Sequence, residues 1–114
     1  MPAKTPAVNT RNGLTQAGGA VTLNVQKEAG FYQIYISTSA TPATGTLAIA
    51  YSCPGSDAFT PLLDSGGNAL TINMAAPQPI IVEDVCIERI RVTPTAFDAD
   101  KTYNLHVLTI ENYV

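Results

Sequence analysis

GTLAIAYS, residues 45–52, is the stretch of this sequence that indicates the fold most directly. Leu47, Ile49 and Tyr51 alternate in it with small or hydroxyl-bearing residues. This period of two is typical of a β-strand that has one face in a core and the other in solvent. A glycine precedes the segment and Cys-Pro-Gly-Ser follows it, so turns are expected at both ends.

Seven further segments with strand-like composition are distributed over the chain from Ala20 onward. They are VTLNV (21–25), FYQIYIST (31–38), AFTPLL (58–63), LTINM (70–74), IIV (80–82), VCIERIRVT (85–93) and TYNLHVLTI (102–110). Pro61 makes AFTPLL an edge or irregular strand, because proline cannot donate to a ladder. No segment has apolar residues at helical spacing over three turns.

These patterns predict an all-β protein. About eight short strands without helical crossovers indicate an antiparallel β-sandwich, since parallel pairs need long connections. Both a jelly roll and an immunoglobulin-like Greek key fit that number of strands.

Residues 1–19, MPAKTPAVNTRNGLTQAGG, differ from the rest of the chain because they contain two prolines, three glycines and no apolar alternation. They predict a flexible, extended N-terminal arm over 1–19, followed by one sandwich domain over 20–114. The start of the sequence has no secretory apolar segment, and no stretch is long enough to span a bilayer. We therefore expect synthesis in the cytoplasm and no membrane partner.

The charge pattern indicates protein partners and argues against nucleic acid. Only 13% of the residues are charged, and the net charge is −3. Charged residues are depleted from the buried centres of interfaces, so a surface this poor in charge favours contact with another protein. The six basic residues are scattered, and no basic stripe could neutralise a run of phosphates.

Residues suited to catalysis or metal binding are few. His106 is the single histidine, and with the separated Cys53 and Cys86 it does not form a zinc set. The two cysteines are expected to be reduced thiols in a protein made in the cytoplasm. Asp98 and Asp100 lack the glycine and glutamate of a calcium loop, so we interpret them as turn caps. The sequence thus predicts no catalytic, cofactor or metal site and a protein that is not an enzyme.

The candidate contact residues lie on GTLAIAYS and around residue 90. Thr46, Ala48 and Ala50 form the small, flat second face of that strand, which we expect to be an exposed edge able to pair with another copy. A charged group is expected to form the polar rim of the same interface and to fix its register across a symmetry axis. Its members are Glu88, Arg89 and Arg91. The expected assembly is a homodimer or homotrimer.

Residues 20–110 also have a characteristic order of strand and turn segments. The stretch GTLAIAYSCPGSDAFTPLLDSGG is followed, after its glycine turn, by VCIERIRVTPTAF. Together with the Pro/Thr/Gly arm and the low charge, this resembles the small structural proteins of tailed-bacteriophage virions, particularly capsid decoration or cement proteins. The resemblance implies a small oligomer on the capsid surface that staples neighbouring subunits, with the major capsid protein or other virion proteins as partners.

Two alternatives stay open. The first is a tail, baseplate or fibre component of the same kind of particle. The second is a stand-alone ligand-binding or carbohydrate-binding module, which would use a groove lined with aromatic rings. The tyrosines considered for that groove are Tyr32, Tyr35, Tyr51 and Tyr103.

Overall fold

The computed structural model describes residues 7–25, 30–40, 43–83 and 87–111, and these ranges contain nine β-strands and no helix. The strands are β1 (Ala7–Leu14), β2 (Val21–Asn24), β3 (Gly30–Thr38), β4 (Thr46–Ser52), β5 (Thr60–Pro61), β6 (Thr71–Asn73), β7 (Ile80–Glu83), β8 (Arg89–Thr95) and β9 (Tyr103–Glu111). Strands β2 to β9 correspond to the eight predicted segments, and the all-β class is confirmed.

The strands form two antiparallel sheets. Sheet A has the order β1-β9-β3-β7, and sheet B has the order β2-β8-β4-β5, with β6 also paired to β4. The pairs are nested along the chain, since β1 pairs with β9, β2 with β8, β3 with β7 and β4 with β5. Successive strands from β1 to β4 therefore alternate between the sheets. Every pair is antiparallel, as predicted.

One core contains residues from both sheets. In β4, Leu47 and Ile49 are buried while Thr46 and Ala48 are exposed, which is the alternation seen in the sequence. Burying one large apolar side chain stabilises a fold by about 1.5–3 kcal/mol. The largest fully buried side chains are Tyr32, Tyr103, Ile34, Leu47, Ile49, Ile72, Met74, Ile87, Ile90, Leu105, Val92 and Val107.

Residues 7–14 form a strand where the sequence predicted an arm. Strand β1 pairs with β9 from Ala7 opposite Thr109, and the register shifts near Gly13, which has a φ of +68°. Leu14 packs against the core, but Val8 is 52% exposed. Because β1 is held mainly by its backbone, its sequence lacks the apolar alternation of a half-buried strand. Residues 1–6 lie outside the described ranges, and the mobility of the arm stays a prediction.

Strand β4 is not an edge, so the prediction that GTLAIAYS is exposed for pairing is wrong. It pairs with β8 on one side and with β5 and β6 on the other. Ala48, for example, lies between Thr93 and Thr71. Small side chains indicate what a face of the strand can contact. They do not indicate which backbone edge is already paired.

Candidate interaction surfaces

The outer face of sheet B contains part of the predicted contact set. Thr46 and Ala48 are exposed and Ala50 is half-buried, all on the side away from the core. Opposite them on β8 lie Thr93, paired with Ala48, and Arg91, paired with Ala50. We call these five residues the sheet B face. Four of them line a shallow groove of about 190 Å³ together with Ile49, Pro61, Ala69 and Leu70. The structure thus brings Thr46, Ala48, Ala50 and Arg91 onto one surface, and their role in an interface stays a prediction.

Arg89 makes contacts within its own chain. Its Nη2 donates to the backbone oxygen of Ser56 at 2.7 Å, and its Nε donates to Ser52 Oγ at 3.2 Å. Its ion pair with Asp57 is long, at 3.5 Å, and Asp57 is fully exposed, so this pair adds little stability. Arg89 therefore holds the loop after β4 against sheet B.

Glu88 is joined to the same region through its backbone. Its N–H donates to the backbone oxygen of Ser52 at 2.9 Å, and its own backbone oxygen accepts from the N–H of Val25 at 3.0 Å. Glu88, Arg89 and Arg91 are thus neighbours, and a role for them in an intersubunit rim stays a prediction.

Phe59 is a surface residue that the sequence reasoning missed. The guanidinium carbon of Arg91 lies 4.2 Å from the Phe59 ring centroid, and that of Arg89 lies 5.4 Å from it. Such cation–π contacts stabilise an exposed site by about 0.5–1 kcal/mol each. Phe59 comes from the loop before β5, about thirty residues from the two arginines, so no local pattern could have indicated the contact.

The outer face of sheet A contains large apolar side chains. Val8 on one edge strand is 52% exposed and Ile81 on the other is 56% exposed. Between them, β3 and β9 present aromatic and aliphatic residues that alternate with the buried ones. We call this surface the sheet A face; its members are Val8, Phe31, Gln33, Tyr35, Ile81, His106 and Leu108. It was not predicted from the sequence.

His106 lies near the middle of the sheet A face. Its ring stacks on Tyr35, with the centroids 4.9 Å apart and the planes at 18°. Its Nδ1 lies 3.3 Å from Thr10 Oγ1 on β1, and its Nε2 lies 3.4 Å from Ser37 Oγ on β3. The prediction that His106 points away from the buried Tyr103, Leu105 and Val107 is confirmed. The ring links three strands of the sheet.

A third surface lies along one open side of the sandwich, between β7 of sheet A and β5 of sheet B. It is an apolar groove of about 390 Å³, which we call the seam groove. Leu63 on its rim is 54% exposed. The residues around it are Tyr51, Thr60, Pro61, Leu62, Leu63, Leu70, Ile81 and Val82.

The tyrosines differ in their availability for ligand stacking. Tyr32 and Tyr103 are fully buried, so the suggestion that they line a binding groove is wrong. Tyr51 is half-buried in the seam groove. Tyr35 stacks on His106 and borders a hollow of about 240 Å³, which is also lined by Gln33, Ile36, Pro77, Gln78 and Pro79.

Asp98 and Asp64 form hydrogen bonds in turns. Asp98 accepts from the Lys101 ammonium at 3.0 Å and from the Thr44 N–H and hydroxyl, both at 2.9 Å. The Lys101 bond, followed by the Thr44 hydroxyl, holds the pKa of Asp98 below its usual range. Asp64 accepts from the N–H groups of Gly66 and Asn68. Within the described ranges, no three potential metal ligands lie together.

Cys53 is exposed and carries a free thiol. Cys86 lies outside the described residues, so its reduced state stays a prediction. In the part of the chain that the structure describes, no helix has the length and hydropathy needed to cross a bilayer.

A comparison with models of known protein families finds no match, and a search of curated proteins finds no similar sequence. The functional interpretation therefore depends on the surfaces described above.

Proposed function

We propose that this protein is a non-enzymatic structural protein of a bacteriophage particle, of the capsid decoration or cement type, and that it stabilises the assembled head. The observation that carries the proposal is the sheet A face, with Val8 and Ile81 each more than half exposed on a chain of only 13% charged residues. Large apolar side chains left exposed on one face of a sheet favour contact with another protein.

The strand order supports a jelly roll as the finer fold type. In an immunoglobulin-like sandwich the first strand pairs with the second, whereas here the pairing is nested, with β1 against β9 and β2 against β8. A jelly roll is such a ribbon of paired strands rolled into two sheets, and it is the architecture of many viral capsid domains. Lectin domains share it, so the fold favours two classes of function and the surfaces decide between them.

The proposed protein acts as a dimer or trimer, is made in the host cytoplasm and ends in the virion. Because both edges of β4 are paired, Thr46, Ala48 and Ala50 offer only a side-chain face. We assign the sheet B face to the contact with the major capsid protein or another virion protein. Its small, uncharged residues allow close approach, and Arg91 supplies a polar contact beside them.

The test is the location of the protein in particles. Phage recovered from a culture that carries the gene would be labelled with gold-conjugated antibody raised against the recombinant protein. Label over the heads is the expected result. Label confined to tails or baseplates would support the tail-component alternative, and unlabelled particles would contradict both proposals.

A carbohydrate-binding module is the second candidate, and the hollow beside Tyr35 favours it. An aromatic ring with the amides of Gln33 and Gln78 nearby is suited to stacking and hydrogen bonding of a sugar. A glycan array would test this with wild type and with Tyr35→Ala as the control. Binding that depends on Tyr35 supports the module, and the absence of binding removes this candidate.

A further inference from the structure

The five outer strands of the sheets, β1, β2, β5, β6 and β7, differ in how well they are protected from pairing with another chain. Strand β1 carries Arg11 and a register shift at Gly13. Strand β2 has four residues, like β7, but its exposed side chains are the polar Thr22 and Asn24. Strand β6 has three residues, and β5 has two, one of which is Pro61. Short length, charge, proline and bulges are the features that prevent edge-to-edge association.

Strand β7 is the exception. Its first three residues, Ile80, Ile81 and Val82, are all β-branched, and the strand contains no lysine, proline or glycine. Among the described residues it pairs with β3 alone. Its charge is confined to Glu83 at one end. A flat, apolar edge of this kind is a template for a further strand.

The seam groove lies beside this same edge. Ile81 and Val82 form one wall, while Leu62 and Leu63 contribute to the other. A strand added along β7 would place alternate side chains toward the groove, because successive residues of a strand point to opposite faces. It would also cover Ile81, and Leu63 on the rim would lose exposed apolar surface.

We infer that the occupant is a second copy of this chain, whose β7 pairs antiparallel with the first across a two-fold axis. With the axis at Ile81, that residue faces its own counterpart, and Ile80 faces the partner's Val82. Glu83 then lies just beyond the end of the ladder, at the level of the partner's Pro79. Such a self-complementary contact closes at two subunits. The inference deepens the proposed function and rests on it for the expectation of an oligomer.

The proposed contact is small. With the axis at Ile81, the ladder joins only Ile80, Ile81 and Val82 of each copy. It buries less than the roughly 1,200–2,000 Å² of a stable interface, so the walls of the seam groove and Leu63 must add to it. We therefore expect a dimer that dissociates on dilution through the micromolar range. Sheet A would continue from one copy to the other as an eight-stranded sheet.

The test compares Ile81→Lys with Val8→Lys. The two positions are matched, since both lie on the sheet A face, on its two outer strands, with exposures of 56% and 52%. Mass would be measured by light scattering over a range of concentrations, and circular dichroism would confirm that each variant is folded. We expect a dimer of wild type, a monomer of Ile81→Lys and a dimer of Val8→Lys.

A cross-link tests the register independently of stability. In an Ile81→Cys variant that also carries Cys53→Ser, mild oxidation should join the two substituted positions, and peptide mapping would identify that link. A wild type that stays monomeric, a trimer, or an Ile81→Lys variant that stays dimeric would overturn the inference. If both lysine variants are monomeric, the inference stands only if the Ile81→Cys variant forms the cross-link between the two substituted positions. None of these outcomes changes the labelling of particles, which tests the proposed function separately.

Discussion

At the scale of single residues, the hydroxyl of Tyr103 is a polar atom buried in the core without a hydrogen-bond partner among the described residues. Tyr103→Phe removes that hydroxyl and keeps the ring, which packs edge-on against Phe97 at 5.4 Å. We expect the free energy of unfolding to rise by about 1 kcal/mol, because a buried unpaired polar group is destabilising. Urea denaturation at neutral pH measures the change. The control is Tyr35→Phe on the surface, for which little change is expected, and a less stable Tyr103→Phe variant would contradict the argument.

The same residue predicts a response to alkaline pH. Burial raises the pKa of Tyr103 above its ordinary value of 10.0, since desolvation disfavours the phenolate. The folded state therefore disfavours the phenolate, so stability is unchanged by this group below pH 10 and is lost as the pH rises through the folded-state pKa. Wild type should lose more stability than Tyr103→Phe between neutral and strongly alkaline pH. Thermal melts over that range measure the difference, and parallel curves for the two proteins would contradict it.

Asp98 should make the stability of the protein fall at acid pH, whereas Tyr103 makes it fall at alkaline pH. Its pKa is lowered from the ordinary 3.8, first by the Lys101 hydrogen bond and then by the Thr44 hydroxyl. The ionised form therefore contributes stability above the unfolded-state pKa, and that contribution is lost as the pH falls through the folded-state pKa. Thermal melts from neutral pH to pH 3 should show a smaller acid-induced loss for Asp98→Asn than for wild type. Asp100→Asn, exposed in the same turn, is the control, and it should follow wild type. Equal acid losses for Asp98→Asn and wild type would count against the turn-cap role.

At the scale of elements, the start of β4 depends on a close backbone approach at Gly45. Its φ is +93°, and a Cβ there would lie 2.5 Å from the Thr95 oxygen and 2.6 Å from the Ala96 oxygen. Gly55 has a similar φ of +82°, but nothing lies within 4 Å of its Cβ position. Gly55→Ala should cost about 1–2 kcal/mol from backbone strain alone. Gly45→Ala should cost about 3 kcal/mol or more, because the β8 turn must also move. Urea denaturation compares the pair, and equal losses would show that the close approach is relieved without strain.

The elements also show how far the sequence predicts the structure. All eight segments with apolar or β-branched patterning are strands, because burial of one face forces that pattern on the sequence. Strand β1 was missed because its pairing with β9 depends on backbone groups, which every residue has. For the same reason the sequence could not tell that β4 is internal and β7 is outermost.

The candidate surfaces, too, could be predicted only where they depend on the alternation of residues within one strand. The outward direction of Ala48 and Ala50 could be predicted, since it follows from alternation within one strand. The contact of Phe59 with Arg91 and the stacking of Tyr35 on His106 join distant segments. Such contacts depend on the order of the strands, which alternation within a single strand does not specify.

At the scale of the whole molecule, the nested pairing predicts slow folding. Ala7 pairs with Thr109, and Val21 pairs with Val92, so each sheet depends on contacts between distant parts of the chain. Loops of this length must close before those contacts can stabilise anything. We expect refolding from urea with time constants of milliseconds to seconds, as in other all-β sandwiches. Stopped-flow tyrosine fluorescence measures the rate, and refolding in microseconds would contradict the prediction.

The order of the strands within each sheet also bears on how the protein is made in the cell. Strand β9 lies between β1 and β3 in sheet A, and β8 lies between β2 and β4 in sheet B. While the ribosome is still translating the first 87 residues, the central strands β8 and β9 have not yet been made. Without β9, β1 cannot be joined to β3, and without β8, β2 cannot be joined to β4. The pairs β3–β7 and β4–β5 can form first, but neither sheet can be completed until β8 and β9 leave the exit tunnel. Completion of both sheets therefore waits for these two strands, and on a crowded polysome chaperones that shield extended apolar segments protect the incomplete sheets.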